Sequence, residues 1–132
     1  MECLFCDIAN NKTRSFKVWE NEAFFAFLDI APINPGHILL IPKIHVEDVF
    51  VLPEDIFGEI FQVAKKLAEP LKQATLAKRI GVAIEGLGVP HAHIHIVPMH
   101  KGNDLNPERA KRASEAELKE MQKILLNSFK DL

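Results

Sequence analysis

The sequence predicts a single α+β domain in which an antiparallel sheet of about five strands packs with one main helix and a C-terminal helix. Short strand-like apolar runs lie on both sides of one long amphipathic segment, and a second amphipathic segment begins at a capping-box sequence. Because 48% of the 132 residues are hydrophobic, one core can form. We expect residues 1–100 to form the domain proper and residues 101–132 to form a connector and helix packed on it.

The N-terminal half is predicted to hold a helical turn and three strands. Residues 16–20 and 23–29 have strand-like composition and are separated by a turn-prone segment around Asn21. Residues 37–42 form an apolar run that ends at a proline, which is typical of a buried strand. A helical turn over residues 4–10 and a proline, asparagine and glycine loop over residues 32–36 complete this half.

The C-terminal half is predicted to hold two helices and two strands. Residues 52–75 carry a broad apolar face at helical spacing, and Pro70 inside this segment should kink or end the helix. Ser114 and Glu117 match a capping box, so a final helix begins there. The strands lie at residues 79–85 and 91–97, with a turn at residues 86–88 between them and a polar connector at residues 101–113. One helix between strands suggests an α+β meander.

Charge and cysteine content argue against several classes of protein. The net charge is −2 and the basic residues are scattered, so nothing indicates a nucleic-acid partner. No apolar run approaches the length of a membrane span, and the first residues lack the features of a signal peptide. We therefore expect a cytoplasmic protein without membrane contact. Two cysteines cannot build a disulfide scaffold.

Three histidines stand at strict two-residue spacing within an apolar run, at His91, His93 and His95. Two residues is the period of a strand, so the imidazoles should project from one face while the residues between them face the core. Imidazole can attack, transfer a proton or bind a metal near neutral pH, so this run indicates a functional site. The alternative is a solvent-facing strand that happens to use histidine.

Cys3 and Cys6 form a second candidate site. Two thiolates at this spacing can occupy two corners of a zinc tetrahedron. His45, just after the strand over residues 37–42, and one histidine of the run could supply the remaining two ligands. A redox dithiol and a pair of cysteines without a role are the alternatives.

The run His91-Ala92-His93-Ile94-His95-Ile96-Val97 resembles the signature of the histidine triad (HIT) family of nucleotide hydrolases and transferases. Residues 26–32, with Asp29-Ile30, and residues 35–43, with Pro35-Gly36-His37, match the N-terminal half of that family in order and spacing. Residues 4–8 are similar to its opening segment. The resemblance implies a HIT domain over residues 1–100 whose sheet continues into that of a second copy, as a homodimer.

The resemblance also implies a site for a purine nucleotide or nucleoside phosphoramidate. Asp29 would accept hydrogen bonds from the ribose hydroxyls, although it could simply cap the turn before Pro32. The base would lie in a slot lined by apolar residues that could equally be core: Leu4, Phe5, Ile8, Phe27, Ile30 and Leu39.

In the chemistry of that family, His93 would be the nucleophile that attacks the α-phosphorus and forms a nucleotidyl-histidine intermediate. His95 would protonate the leaving group and later help to activate water. His37 would position or tune the pair. No organic cofactor is implied.

The sequence departs from the family where the phosphate is held. Many members have glutamine and then serine or threonine before the triad, whereas this chain has Gly86-Leu87-Gly88-Val89-Pro90. Glu85 stands near a position where asparagine is frequent. The backbone amides of Gly88 or Val89 could replace the missing donors, since glycine permits close approach. His100, Lys101 or a partner's tail could also serve.

Certain bacterial-type members hold a structural zinc ion through a Cys-x-x-Cys pair and two histidines. The matching positions are all filled here, by Cys3, Cys6, His45 and His91. The resemblance therefore implies structural Zn²⁺ that anchors the N-terminal segment against the strand bearing His93.

The leading hypothesis is a hydrolase of purine nucleoside 5′-phosphoramidates or related mixed-phosphate adducts. A dinucleoside polyphosphate hydrolase or nucleotidyl transferase would use the same intermediate. Two further alternatives are a non-catalytic nucleotide-binding module stabilised by zinc and a metalloenzyme whose three strand histidines hold a catalytic metal.

Overall fold

A computed structural model, which describes residues 2–132, has the five-stranded antiparallel sheet, the main helix and the C-terminal helix that the sequence predicts. The strands are β1 (Lys17–Glu20), β2 (Phe24–Leu28), β3 (Ile38–Pro42), β4 (Arg79–Ala83) and β5 (Ile94–Met99). The α-helices are α1 (Leu4–Ala9), α2 (Glu54–Thr75) and α3 (Glu115–Phe129). Short 3-10 turns lie at Val49–Val51 and Pro107–Arg109.

The strand order is β1-β2-β3-β5-β4, and every neighbouring pair is antiparallel. The predicted meander is therefore wrong for the last two strands. The chain passes through α2 to the edge position of β4 and then returns between β4 and β3 as β5. Because β5 has a neighbouring strand on each side, His95 pairs with Leu39 of β3 and with Ala83 of β4.

The two faces of the sheet bury different clusters. The larger core, against which α2 and α3 pack, includes Phe24, Leu40, Leu67, Ile94 and Leu125. The smaller cluster lies under α1 and contains Cys3, Phe5, Ile8, Ala9, Phe25, Phe27, Leu39 and Ile41. Alternation along the strands separates the two sets, since Ala26 and Leu40 belong to the first and Phe27 and Leu39 to the second.

Helix α2 continues through Pro70, so of the two predicted outcomes, a kink or an end of the helix, the second is wrong. A proline inside a helix removes one backbone hydrogen bond and costs about 3 kcal/mol. Leu67 and Leu71 are both fully buried on either side of it, so their packing against the sheet offsets that cost. The helix ends at Leu76, which has a left-handed φ of 58°.

The strand that carries the histidine run begins later than predicted. β5 starts at Ile94, so His91 and His93 precede it. β3 ends at Pro42, and the Ala92 N–H instead donates to the carbonyl of Val46, 2.6 Å away. The predicted alternation nevertheless persists, because Ala92, Ile94 and Ile96 are all buried in the larger core.

Residues 101–132 pack on the same sheet. The backbone amides of Lys111 and Ala113 donate to the carbonyls of Pro32 and Ile30, so the connector runs beside the loop after β2. Helix α3 begins with the predicted capping box at Ser114 and Glu117 and packs against α2 and β1. Within residues 2–132, no helix combines the length and apolar character that crossing a bilayer requires.

Replacing Leu125 by alanine should lower the free energy of unfolding by about 2–5 kcal/mol, because its side chain is fully buried in the larger core. Leu126→Ala is the matched control: it makes the same change one residue further along α3, where the side chain is 44% exposed, and should cost less than about 1 kcal/mol. Urea unfolding of both variants measures the difference. Equal losses would mean that α3 does not share the core of the domain.

Candidate active site

A cavity of about 500 Å³ lies between α1 and the face of the sheet that carries the smaller cluster. His93 and His95 line one end of it. All nine residues that the sequence assigned to nucleotide binding line its walls: Leu4, Phe5, Ile8, Phe27, Asp29, Ile30, Leu39, Gly88 and Val89. The structure therefore brings the apolar slot, the acidic residue and two of the histidines into one cavity, which we call the base cavity.

One wall of the base cavity was not predicted from the sequence. Residues 13–16 contribute Thr13, Arg14, Ser15 and Phe16, and Leu28 also lines it. The Arg14 side chain forms an ion pair with Glu115 at the start of α3 and lies over the Phe16 ring. No periodic pattern marks this loop between α1 and β1. Only the nearness of β1 to the cavity, which depends on long-range pairing, could have revealed it.

The imidazole of His93 has a defined free nitrogen. Its Nδ1 lies 2.6 Å from the carbonyl oxygen of His91. A carbonyl can only accept, so Nδ1 carries the proton and Nε2 has an unshared electron pair. The ring is buried and meets the edge of the Phe5 ring at 5.2 Å between centroids. The contact with the His91 carbonyl thus selects, for the neutral ring, the tautomer that a nucleophile requires.

His37 and His95 form a hydrogen-bonded pair that a backbone amide orients. The amide of Ile33 donates to His37 Nδ1 at 3.0 Å, so the neutral ring carries its proton on Nε2. That Nε2 lies 2.9 Å from His95 Nδ1 and donates to it. Neutral His95 therefore carries its own proton on Nε2. The cavity end thus holds a bare nitrogen on His93 and an N–H on His95.

Burial favours the neutral form of both imidazoles in this pair, because desolvation lowers their pKa values. Desolvation and, to a smaller extent, the charge of His95 lower the pKa of His37 to about 4, against the opposing effect of the Asp29 carboxylate. Burial also lowers the pKa of His95, with a further lowering by His93. The carboxylates of Asp29 and Glu85 act in the opposite direction on His95.

Asp29 combines the two roles that the sequence allowed. Its Oδ1 accepts a hydrogen bond from the Ala31 amide at 2.9 Å, so it caps the turn before Pro32. Its Oδ2 lies 3.6 Å from His37 Nε2 and 4.0 Å from His95 Nδ1. The carboxylate is half-buried on the wall of the base cavity. It can therefore accept hydrogen bonds from a ligand in the cavity while it remains beside His37 and His95.

The loop before β3 is shaped by Gly36 and by a buried polar network. Gly36 has φ +93°, and a Cβ there would lie 2.7 Å from the Thr75 side chain at the end of α2. Asn34 donates to the carbonyl of Pro98 at 2.8 Å, and Arg109 pairs with the buried Asp104 at 2.9 Å. The carboxylate of Asp104 accepts from the backbone amides of His100 and Lys101, which anchors the connector.

The ligand atoms of Cys3, Cys6, His45 and His91 all lie within 4.8 Å of one another, as the sequence analysis expected for these four residues. Individual distances are 3.5 Å from Cys3 Sγ to His91 Nδ1, 3.4 Å from Cys6 Sγ to His91 Nδ1, and 3.3 Å from Cys6 Sγ to His45 Nδ1. A zinc tetrahedron with Zn–S of about 2.3 Å and Zn–N of about 2.0–2.1 Å has edges of roughly 3.3–3.8 Å. The arrangement is compatible with zinc.

Backbone groups prepare this cluster for a metal. His91 Nε2 lies 2.8 Å from the carbonyl of Pro42 and donates to it, so Nδ1 is unprotonated and faces the two sulfurs. Burial and the neighbouring Cys3 raise the pKa of the Cys6 thiol to about 11, so two thiolates at this position require a cation beside them. Cys3 also caps α1, because its Sγ accepts from the Cys6 amide.

The three histidines of the run do not converge on one point. His91 belongs to the four-residue cluster, whereas His95 groups with His37 and Asp29. Among residues 2–132, His93 is in neither group, and its Nδ1 bonds to a carbonyl. The geometry argues against the metalloenzyme alternative, in which all three would hold one catalytic ion.

Comparison with known proteins places the chain in a family. A family model described as the HIT domain matches residues 10–102. The adenosine 5′-monophosphoramidase HNT1 of Saccharomyces cerevisiae is 35% identical over 97 residues, which is 73% of this chain and 61% of that protein. The chain belongs to the histidine triad family.

Solved structures agree. A hypothetical histidine triad nucleotide-binding protein from Sulfolobus tokodaii superposes with a TM-score of 0.86 at 32% identity, covering 98% of this chain and 93% of that one. A Zn-bound histidine triad family protein from Mycobacterium smegmatis gives a TM-score of 0.85 at 28% identity, covering 99% and 95%. The fold and the family are therefore those that the motifs implied.

Acidification should destabilise the protein through His37. Its pKa is about 4 in the folded state and about 6.5 when unfolded, so its contribution is complete above pH 6.5 and is lost as pH falls toward 4. The full loss is about 3 kcal/mol. Urea unfolding at pH 7 and pH 4.5 should show a smaller pH effect in His37→Gln than in the unchanged protein. An equal effect would mean that His37 is not the buried neutral group described above.

Proposed function

We propose that this protein is a nucleotidyl hydrolase that cleaves purine nucleoside 5′-phosphoramidates and related mixed-phosphate adducts. The observation that carries the proposal is a pair of imidazoles that both line the base cavity, with ring centroids 5.4 Å apart: in their neutral forms His93 has a bare Nε2 and His95 has a protonated Nε2. A nucleophile and a proton donor in one cavity are what substitution at phosphorus requires. The 35% identity to a yeast adenosine 5′-monophosphoramidase supports this choice of substrate.

The purine and ribose are assigned to the base cavity. The base lies among Leu4, Phe5, Ile8, Phe27 and Leu39, which together give the flat aromatic and aliphatic surface that a purine can stack on. Asp29 accepts from the ribose hydroxyls with the carboxylate oxygens that remain after its bond to Ala31. This places the 5′-phosphorus at the end where His93 and His95 lie.

In the first step, the electron pair of His93 Nε2 forms a bond to phosphorus while the bond from phosphorus to the leaving nitrogen breaks. The leaving nitrogen keeps that electron pair and takes a proton from Nε2 of His95, which enters the step as an imidazolium with a proton on both ring nitrogens. In that form its Nδ1–H points to Asp29, in place of the hydrogen bond from His37 that neutral His95 accepts. Asp29 stabilises this charged form, because its Oδ2 lies 4.0 Å from His95 Nδ1. The products of this step are a free amine, a nucleotidyl-His93 intermediate and a neutral His95 whose Nε2 is now bare.

In the second step, water attacks the phosphorus and gives one proton to His95 Nε2, which restores the imidazolium. The bond from phosphorus to His93 breaks, and its electron pair returns to Nε2. The carbonyl of His91 holds the ring throughout, since it accepts from Nδ1. The backbone amides of Gly88 and Val89, two residues that line the cavity, are assigned the role of donating hydrogen bonds to the negatively charged phosphoryl oxygens.

His93→Ala should reduce hydrolysis of adenosine 5′-phosphoramidate by about a thousandfold or more, because the covalent route requires the nitrogen that is removed. AMP binding, measured by calorimetry, should persist. Gln73→Ala is the control, since Gln73 is exposed on α2 and outside the cavity, and should leave the rate unchanged. Turnover that survives in His93→Ala would contradict the covalent mechanism. Binding without turnover in the unchanged protein would favour a non-catalytic nucleotide-binding module.

We further propose that Cys3, Cys6, His45 and His91 hold a structural zinc ion. The spacing of their ligand atoms and the Zn-bound relative from Mycobacterium smegmatis support this. The ion would tie α1, which forms one wall of the base cavity, to the segment that carries His93. It would not touch the reacting phosphorus, because His93 does not belong to the ligand cluster.

Elemental analysis should find one zinc ion per chain in the unchanged protein and none in Cys3→Ser, which should also melt several degrees lower. Serine is itself a good helix cap, so the loss of stability reports the metal and not the start of α1. His93→Ala should keep its zinc. An unchanged melting temperature with no zinc in either protein would exclude a structural ion, and metal loss in His93→Ala would point to a catalytic one.

A homodimer formed through β4 is the third proposal. β4 is an edge strand, and its Val82 and the following Ile84 are exposed. Phe50 is 72% exposed and lines a cavity together with Ile84 and Leu87. Its ring lies 6.0 Å from that of Phe57, which in turn lies 5.4 Å from that of Phe61, measured between ring centroids. An apolar patch beside an unpaired strand edge is typical of a surface that a second copy covers.

Sedimentation should give twice the chain mass of 14.9 kDa for the unchanged protein. Ile84→Glu should shift the equilibrium to monomer, because a carboxylate would be buried in the interface. Leu126→Glu makes a similar change on the exposed side of α3 and should leave the dimer intact. A monomeric unchanged protein at micromolar concentration would contradict the proposal.

A further inference from the structure

A second cavity adjoins the histidine pair on the side away from the base cavity. It has a volume of about 410 Å³, and His37 and His95 line it together with the carboxylates of Asp29 and Glu85. The rest of its wall is apolar: Ala31, Ile33, Ala83, Ile84, Val97, Leu105, Pro107 and Ala110. We call it the distal cavity. None of the roles assigned above uses it.

The direction of the reaction connects the distal cavity to the leaving group. His93, His95 and Val97 follow one another at two-residue spacing on the same face, about 6–7 Å apart along the chain. In an in-line displacement the leaving group lies on the far side of phosphorus from His93. His95 supplies the proton to the leaving nitrogen, so the leaving group lies beside His95, which also lines the distal cavity together with Val97.

Glu85 stands where the cavities around the triad meet. Ala83 pairs with His95 at the end of the β4–β5 pairing, and Glu85, two residues further along, lines the base cavity together with His93 and His95. Its exposed carboxylate lines the base cavity, the distal cavity and a third cavity that also includes Glu47 and Asp48. Its charge reaches His95, since it raises the pKa of that imidazole.

Apart from His95, which is positive when it protonates the leaving group, the charged side chains of one chain that line the two outer cavities are all acidic. Asp29 and Glu85 line the distal cavity, and Glu47, Asp48 and Glu85 line the third. Among the residues the structure describes, no lysine or arginine lines either of them. A leaving group with a negative charge, such as a nucleoside polyphosphate, would therefore meet like charge, whereas an ammonium group would meet opposite charge.

We propose that Glu85 is a specificity-determining residue that selects leaving amines bearing a positive charge and disfavours anionic leaving groups. This inference rests on the proposed hydrolase function and narrows its substrate class to phosphoramidates of amines with a cationic tail and an apolar stem. The apolar wall of the distal cavity contacts the stem, and the carboxylate of Glu85 lies beside the tail.

The test uses three adenosine 5′-phosphoramidates of matched length, whose butyl chains end in an ammonium, a methyl or a carboxylate group. Four carbons separate the tail from the reacting nitrogen, so its basicity is similar in all three. The measured quantity is the ratio of kcat/KM for the ammonium substrate to that for the carboxylate substrate. It should exceed about fivefold at low salt and decline toward one in 0.5 M NaCl, because a charge interaction near the surface is screened.

Glu85→Gln should lower this ratio by about fivefold, and Glu85→Lys should invert the preference. Glu120→Gln removes the same charge from an exposed position on α3 outside the cavities and should leave the ratio unchanged. Diadenosine tetraphosphate, with and without Mg²⁺, tests whether the carboxylates instead hold a cation that carries an anionic leaving group. That substrate should be turned over more slowly than the ammonium one in both conditions.

A ratio near one in the unchanged protein, or an equal effect of Glu85→Gln and Glu120→Gln, overturns the inference and leaves the hydrolase function in place. Faster turnover of diadenosine tetraphosphate in Mg²⁺ also overturns it, in favour of a metal-bridged anion. Absence of His93-dependent turnover for every substrate overturns the inference together with the function on which it rests.

Discussion

Backbone groups decide which nitrogen of each buried imidazole carries its proton, and the rest of the site depends on that choice. The carbonyls of Pro42 and His91 accept from His91 and His93, and the Ile33 amide donates to His37. A carbonyl can only accept and an amide N–H can only donate, so none of the three contacts is satisfied by the opposite tautomer. In the neutral rings, the unprotonated Nδ1 of His91 therefore faces the sulfurs of Cys3 and Cys6, and the unprotonated Nε2 of His93 is left for the base cavity.

The placement of these backbone groups follows from the sheet and its connections. β5 returns between β3 and β4, so His95 lies beside the strand that follows His37. The connector over residues 101–113 bonds to the loop after β2, and within the connector the buried Asp104 pairs with the partly exposed Arg109. These long-range contacts hold the Ile33 amide on His37. The smaller cluster under α1 completes the cavity from the other side.

Local patterns predicted much of this arrangement. Strand composition and the capping box at Ser114 were enough for the helices and strands, and the spacing of the cysteines and histidines pointed to two candidate sites. Asp29, His37 and the apolar lining came from the resemblance to the histidine triad family and not from local patterns. What depends on distant contacts was missed: the insertion of β5, the continuity of α2 through Pro70 and the cavity wall at Arg14. Burial of Leu67 and Leu71 overrides the effect of the proline, and no local pattern reports burial.

The protonation states of the histidines test the account most directly. Long-range ¹⁵N–¹H correlation spectra of histidine-labelled protein at neutral pH distinguish the two neutral tautomers by the shifts and couplings of each nitrogen. The account predicts that His93 is protonated at Nδ1 and that His37 and His95 are protonated at Nε2. A His93 ring protonated at Nε2 would contradict it, because no electron pair would then face the cavity.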